Sequence, residues 1–396
     1  MTNEKNNPVR NHLSKEVFSG LMRTAFIYTD AYFDYDYGPT HPLKVFRLKL
    51  AHELIEAYGL LEEPSVEFIP TRKADDEDLA LFHSRDYLNI LKEANGGTLQ
   101  RSAYPYGLGP GDNPIFKGLY DWSLWVTGAT LQAGDLVAKG EKEIAFNIAG
   151  GLHHADRSRA SGFCYVNDAV VGILRLLKQG KRVAYVDLDA HHGDGVQRAF
   201  YRTDQVLTIS LHETGATLFP GTGFEHEIGE GNGKGYSVNL PFPPYTRDDV
   251  YGWAFEEIVP PLLHGFKPDI VVTQLGVDSF SSDPLTNLHL SILGFEKVLR
   301  RLKELAPRWV ALGGGGYEVS NVARAWALAW AVMNGVDISD DLPGSYQEKA
   351  ARFGVYDKKL RTGPLLSPPG GDSGVRAEVE RVVGYLKQTV FPIVTR

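Results

Sequence analysis

Between Asp187 and Asp194 the chain sets three carboxylates and two imidazoles within eight residues, directly after the apolar run Val183-Ala-Tyr-Val186. Charges seldom gather at the end of a buried strand unless something positive holds them there. The two-residue period of a strand would point Asp187, Asp189 and His191 the same way. Asp with His is an oxygen–nitrogen donor pair suited to Zn²⁺ or another borderline divalent ion. A catalytic zinc needs about three protein ligands and one open position, and the distant Asp278 completes such a set with Asp189 and His191. Two anionic ligands neutralise the dication and leave it a Lewis acid toward a carbonyl and a water. The adjacent His153 and His154 are bases of suitable pKa. Asp187 and Asp194 are carboxylates able to fix their tautomers. Tyr317, neutral at pH 7, is able to donate to a developing oxyanion. Taken singly, each feature is ordinary. A histidine pair is commonly structural, Asp278 reads as a helix cap, and four glycines before Tyr317 read as a turn. The lone Cys164 reads as a small buried hydrophobe.

These residues need elements that bring them together. Short β-prone runs at 24–28, 144–148, 183–186, 206–211, 270–275 and 309–312 alternate with helical periodicity at 167–178, 248–263 and 292–305. That alternation predicts βαβ units and a mainly parallel sheet. Right-handed crossovers then line the strand C-termini along one edge, where ligands bind. Four of the runs are followed there by Ala149-Gly-Gly-Leu-His-His154, the Asp187 cluster, Gly276-Val-Asp-Ser279 and Gly313-Gly-Gly-Gly-Tyr317. Their coincidence at one predicted edge makes a reaction centre the best reading. Residues 100–114 and 220–244 are broken by glycine and proline and read as loops on a functional rim. Residues 340–396, with breaks at Pro368-Pro-Gly-Gly371 and a helix-like 375–388, read as an appendage docked on a single domain.

Composition narrows the classes further. The chain has 396 residues, 43% hydrophobic and 23% charged, a soluble globular profile. One cysteine excludes an internal disulfide and a Cys-rich zinc site, and fits a cytoplasmic setting. Residues 1–22 lack the apolar stretch of a signal peptide, and the apolar run 325–333 is too short to span a bilayer. A formal net charge of −8 without a basic stripe disfavours nucleic acid.

Over residues 24–335 the chain resembles the zinc-dependent histone deacetylase family. The resemblance rests on Tyr37-Gly38 with His41-Pro42 and Lys44, Phe82-His-Ser84, Gly150-Gly-Leu-His-His-Ala155 and Gly162-Phe-Cys-Tyr-Val-Asn-Asp168. It rests equally on the Asp187–Gly195 cluster, Phe219-Pro-Gly-Thr-Gly223, Gly276–Ser279 and Gly313–Tyr317. Among subfamilies it is most similar to the bacterial acetoin-utilisation deacetylases, which resemble class I enzymes. The resemblance implies an arginase-like, three-layer α/β/α domain around an eight-stranded, mainly parallel sheet. It implies zinc on Asp189, His191 and Asp278, with Fe²⁺ or Co²⁺ as other occupants, and His154 as the preferred general base. It implies channel walls from Phe163 and Phe219 with Leu285 on the rim, and Asp112 binding the substrate backbone. The Gly162 carbonyl would lie near the scissile amide, and Arg47 would line an acetate exit cavity.

The same resemblance implies two potassium sites. One takes Asp187, Ser210 and backbone oxygens of Asp189, His191 and Leu211. The other takes backbone groups of Phe200, Thr203, Val206 and Tyr236. An ion beside Asp187 would lower the basicity of His153, which favours His154 as base. Two departures, Val45 after Lys44 and Ile148 at a common tryptophan position, concern packing rather than chemistry. The expected activity is hydrolysis of Nε-acetyl-lysine in an acetylated protein, with acetyl-CoA synthetase as a partner by subfamily analogy. Deacetylation of acetylpolyamines is the alternative, disfavoured by Leu285 where a gatekeeping acid would serve it. A two-manganese ureohydrolase would need a further carboxylate–histidine set, and a non-catalytic binding protein would not fill every polar role.

Overall fold

The near-continuous apolar runs are buried on both faces, as a parallel sheet covered by helices requires. The computed structural model describes residues 22–361 and 373–395. Most of the N-terminal stretch 1–22 and the breaks at Pro368–Gly371 lie outside the described residues. The strands are β1 (Thr24–Tyr28), β2 (Val66–Pro70), β3 (Ile144–Asn147), β4 (Val183–Asp187), β5 (Val206–Glu213), β6 (Ser237–Phe242), β7 (Ile270–Gln274) and β8 (Trp309–Leu312). They form one sheet in the order β2-β1-β3-β8-β7-β4-β5-β6, parallel throughout.

Helices pack in two groups that sandwich this sheet. Leu119–Ala138 lies against Asp168–Lys178 in one. Phe46–Ala57, Val319–Asn334, Ile292–Leu305 and Asp248–Phe266 pack side by side in the other. Trp330 of the second group meets Phe26 of β1 with ring centroids 5.3 Å apart and Phe146 of β3 at 6.3 Å. A buried aromatic of this size contributes roughly 1.5–3 kcal/mol or more and ties the helix to the sheet. The three-layer α/β/α expectation is met, and the anticipated strands and helices appear within a few residues of their bounds.

Two strands lie where none was anticipated. β2 is an edge strand with Glu67, Phe68 and Pro70 exposed, so its apolar signal is weak. β6 falls inside the 220–244 stretch, which is therefore not all loop. Its Ser237, Asn239 and Pro241 mask a strand whose edge position tolerates the proline. β6 is nonetheless buried throughout, because the C-terminal helix Ser373–Thr389 packs against it and against Asp248–Phe266. That helix coincides with the anticipated 375–388, and residues 391–394 follow as a further helical turn. A Cβ on Gly265 would lie 2.7 Å from the Thr395 Cα, so the two segments meet backbone to backbone. Among the described residues no helix is long and apolar enough to cross a membrane.

The sheet order has one consequence for chemistry. β3, β8, β7 and β4 are consecutive neighbours, so the four loops singled out above leave the sheet side by side.

Ending the chain at residue 361 would uncover β6 and discard buried Val379, Val382, Val383, Leu386 and Val390. The loss is on the order of 5–10 kcal/mol. Thermal denaturation of the truncated chain should show a sharply lowered midpoint or insoluble protein. An unchanged midpoint would make the tail dispensable.

Candidate active site

At the end of β4 the strand period stops at Asp187. Asp189 N–H donates to Asp187 Oδ1 (3.1 Å) and His191 N–H to Asp189 Oδ1 (3.0 Å), two successive Asx turns. Asp189 and His191 thus face the centre through turn geometry, not through the strand alternation expected for them. Asp194 then opens the helix Asp194–Phe200.

Asp278, from the loop after β7, returns to this turn. Its Oδ1 accepts from Ala190 N–H (2.8 Å), and its Oδ2 lies 2.9 Å from His191 Nδ1, which is also 3.2 Å from Asp189 Oδ1. One donor atom from each of Asp189, His191 and Asp278 lies within 4.8 Å of the others, and all three residues are buried. Glycine is required beside them. A Cβ on Gly276 would sit 2.1 Å from Asp189 Oδ2, and one on Gly315 2.1 Å from Asp278 Oδ2. Burial and the Asp189 charge push the Asp278 carboxyl up to about 7. Burial opposes charge on His191, but Asp189 and Asp278 outweigh it and raise the imidazole to about 10. The cluster therefore demands positive charge, and two carboxylates with one imidazole are a donor set that fits a divalent cation.

The histidine pair sits beside it, each ring backed by an acid. His153 Nδ1 is 2.8 Å from Asp187 Oδ2, and His154 Nδ1 is 2.8 Å from Asp194 Oδ1. Their Nε2 atoms are 3.0 Å apart, and His153 Nε2 is 3.9 Å from Asp189 Oδ1. Burial lowers His153, but Asp187 and Asp189 override it and hold the ring up to about 9. Burial and then the neighbouring His153 charge lower His154 to about 4. His154 is accordingly neutral at pH 7.

The motif 162–168 holds this loop in place. Asn167 Nδ2 donates to the carbonyls of His153 (3.1 Å) and Ala155 (3.0 Å). Buried Asp168 accepts from the Gly151 (3.1 Å) and Leu152 (2.8 Å) amides.

Tyr317 reaches the same centre from the loop after β8, its ring centroid 6.4 Å from that of His191. Burial, then the charges of Asp278 and Asp189, keep its phenol protonated far above the usual range. Phe163 stands edge-on to Tyr317 at 5.6 Å, and half-exposed Phe219 lies 5.1 Å from His154. A Cβ on Gly162 would lie 2.5 Å from the His154 ring and 3.0 Å from Phe219, so only glycine fits between them. Leu285 is half-buried, its amide on Asp283 Oδ1 (3.0 Å). Exposed Asp112 connects through its carbonyl to His41 Nε2 (3.2 Å), whose ring abuts Phe163 at 4.5 Å. Buried Arg47 donates to the carbonyls of Gly314 and Gly316, both at 2.7 Å, behind Tyr317.

The groups anticipated for monovalent cations lie on and around β4, β5 and β6. Asp187 and Ser210 are register partners across β4 and β5, but Ser210 Oγ pairs with His212 Nδ1 (2.8 Å) and Leu211 follows within β5. Phe200 O accepts from Thr203 N–H (3.2 Å), Tyr236 O from Thr208 N–H (2.9 Å), and Val206 opens β5.

Several further contributors were not anticipated. Gln274 donates to Asp189 Oδ2 (2.9 Å) and the Gly151 carbonyl (3.1 Å), joining the metal-type cluster to the histidine loop. As a polar residue ending a buried strand, it carries the same mark as Asp187. Tyr185 O–H donates to Asp187 Oδ2 (2.7 Å). Asp283 accepts from the Tyr317 amide (2.7 Å), a contact across 34 residues that spacing cannot reveal.

The chain is similar to known proteins of one family. The histone deacetylase domain family matches residues 41–333. The chain is 40% identical over 331 residues to the acetoin utilization protein AcuC of Bacillus subtilis, covering 82% of this chain and 85% of that one. It is 38% identical over 349 residues to the histone deacetylase RPD3 of Saccharomyces cerevisiae, covering 87% and 79%. The crystal structure of a histone deacetylase homolog from Aquifex aeolicus superimposes with a TM-score of 0.84 at 38% identity, covering 92% of this chain and 100% of that one.

A divalent ion supplied to chelator-stripped protein at about a hundred times its dissociation constant should stabilise the fold by about 2.7 kcal/mol. Calorimetry should show the midpoint rise, and Asp278→Ala should abolish the rise. A shift that persists in that variant would place the ion elsewhere.

Proposed function

The chain belongs to the histone deacetylase family and is a hydrolytic deacetylase of acetyl-lysine; we propose that it acts on acetylated protein through the residues described above. The observation that carries this reading is one juxtaposition. Two acid-backed imidazoles meet the Asp189–His191–Asp278 cluster beside two phenyl rings.

Asp189, His191 and Asp278 would hold the catalytic metal, for which zinc is the proposed ion because carboxylate–imidazole sets suit it. When bound, that ion supplies Lewis acidity toward an amide carbonyl and a water. Phe163 and Phe219 flank the lysine methylenes, with the uncharged Leu285 on the rim where a gatekeeping acid would bind a second ammonium. That rim favours acyl-lysine over a polyamine. Asp112 accepts backbone N–H groups of the substrate at the mouth, and the Gly162 carbonyl lies near the scissile amide.

His154 Nε2 takes a proton from water as its oxygen bonds to the acetyl carbon. Asp194 holds the Nδ1–H, so the imidazolium that forms is stabilised and keeps its orientation. Tyr317 donates its phenolic O–H to the oxygen on which charge develops. As the carbon–nitrogen bond breaks, His154 returns the proton to the lysine nitrogen, giving amine and acetate. His153, kept charged by Asp187, adds fixed positive potential beside that oxygen. Arg47 lines the proposed route for acetate. Potassium near Asp187 and near Phe200–Tyr236, a cytoplasmic setting, and acetyl-CoA synthetase as the acetylated protein complete the proposal.

Tyr317→Phe should lower kcat about a hundredfold or more while metal content stays near wild type. Equal loss of metal would contradict its role. His154→Ala should abolish turnover yet keep affinity for an acetyl-lysine peptide, and a near-wild-type rate would move the base elsewhere. Assays with acetyl-lysine peptides and acetylpolyamines side by side should give the higher kcat/KM on the peptide; the reverse order would replace the substrate class.

A further inference from the structure

His154 owes its orientation to Asp194, and Asp194 in turn meets a cation from the surface. Arg198 lies one helical turn beyond Asp194 and donates from Nη1 to Asp194 Oδ2 at 2.9 Å. The same guanidinium pairs through Nε with Asp156 Oδ2, also at 2.9 Å. Asp156 stands two residues after His154, on the loop that carries it. One side chain therefore holds both the acid that orients the imidazole and the backbone segment that presents it.

The pair with Asp194 is not an ordinary surface ion pair, since the Asp194 side chain is 7% exposed and that of Arg198 43%. The acid's other oxygen is occupied by His154 Nδ1 (2.8 Å) and the Gly195 amide (2.9 Å). Without Arg198, Oδ2 would keep a buried charge with less compensation and a freedom to rotate that the helix turn alone does not restrict. The flat guanidinium suits this task because its donors form a fixed fork that serves two carboxylates at once.

We infer that Arg198 is a positioning residue for deacetylation, a surface guanidinium that locks Asp194 and the His154 loop together so that the base keeps its Nε2 toward the reaction centre. This rests on the reading of His154 as general base. Arg198 and Asp194 border an open cavity of about 620 Å³ that also includes Tyr201 and Thr222. A small cation from solvent can therefore reach the place a truncated side chain would leave.

The test uses the full-length, metal-loaded enzyme and an acetyl-lysine peptide. Arg198→Ala should lower kcat about ten- to hundredfold with KM within about twofold, and with metal content unchanged. Guanidinium chloride at tens of millimolar should restore several-fold of that loss, while equal sodium chloride should not. Arg198→Lys, which keeps the charge but not the fork, should fall between the two. A kcat within about twofold of wild type, a loss matched by lost metal, or no response to guanidinium overturns the inference. His154→Ala separates the two readings. If it is inactive and unresponsive to guanidinium while Arg198→Ala is normal, only the positioning role falls. If His154→Ala is itself active, the base assignment falls first.

Discussion

Buried charge without a partner is the constraint on which this structure turns. Asp187, Asp189, Asp194 and Asp278 stand with His153, His154 and His191 at adjoining strand ends, all of them buried. Removing one partner from such a set commonly costs about 3–5 kcal/mol, because the remaining charge has no water to turn to. The surrounding structure answers that demand atom by atom. Asp187 is met by His153, Tyr185 and the Asp189 amide. Asp189 is met by His191, Gln274 and the Gly315 amide. Four loops rich in glycine are needed because those contacts bring backbone to within a few ångströms of carboxylate oxygens, where a Cβ has no room.

From that packing follows the unequal state of the two histidines. They are neighbours in sequence, equally buried, and each backed by one carboxylate, yet one is raised and the other lowered. Burial disfavours charge on both, so the difference lies in what else is near. His153 faces Asp189 as well as Asp187, whereas His154 faces the imidazolium of His153. A proton on the first ring repels a proton on the second. The pair thus divides one positive charge unevenly, and the ring left neutral at pH 7 is the one that lies against Phe219 and Gly162. An unprotonated ring and access thus fall on the same residue, whereas a cation near Asp187 would lower His153 and narrow the difference between the two.

The parts of this arrangement that could be read from the chain were those with dense local marks. The six fully buried strands announced themselves because burial on both faces demands uninterrupted apolar residues. β2 and β6 did not, since an edge position admits Glu67 in one and Pro241 in the other. The long helices Leu119–Ala138 and Val319–Asn334 carry buried residues around most of their surface, so no clean stripe delimits them, and in Phe46–Ala57 the charged Arg47 interrupts the buried stripe. In the site, residue type alone marks Asp189, His191 and Asp278 as a candidate ligand set, but the first two do not reach the centre by strand alternation. Strand alternation ends at Asp187, and Asx turns complete the work. Gln274, Asp283 and Arg198 escaped notice because their partners lie elsewhere in the chain, or because a helix-surface arginine is common.

The order of the sheet explains why these residue types converge in this fold. β3 and β8 deliver the histidine loop and Tyr317, while β7 and β4 deliver Asp278 and the Asp189–His191 turn. The border between the two pairs runs between β8 and β7, and Gln274 at the end of β7 spans it by bonding to Asp189 on one side and Gly151 on the other. The histidine pair and the metal-type ligands are thereby placed on separate strands that cannot drift apart, since adjacent parallel strands are held about 4.8 Å from each other. A loop insertion on one side would alter the surface around the site while leaving this spacing intact. Leu285 and Asp112 lie outside this framework, on loops that the sheet spacing does not fix, while the buried carboxylates and imidazoles are held by the sheet.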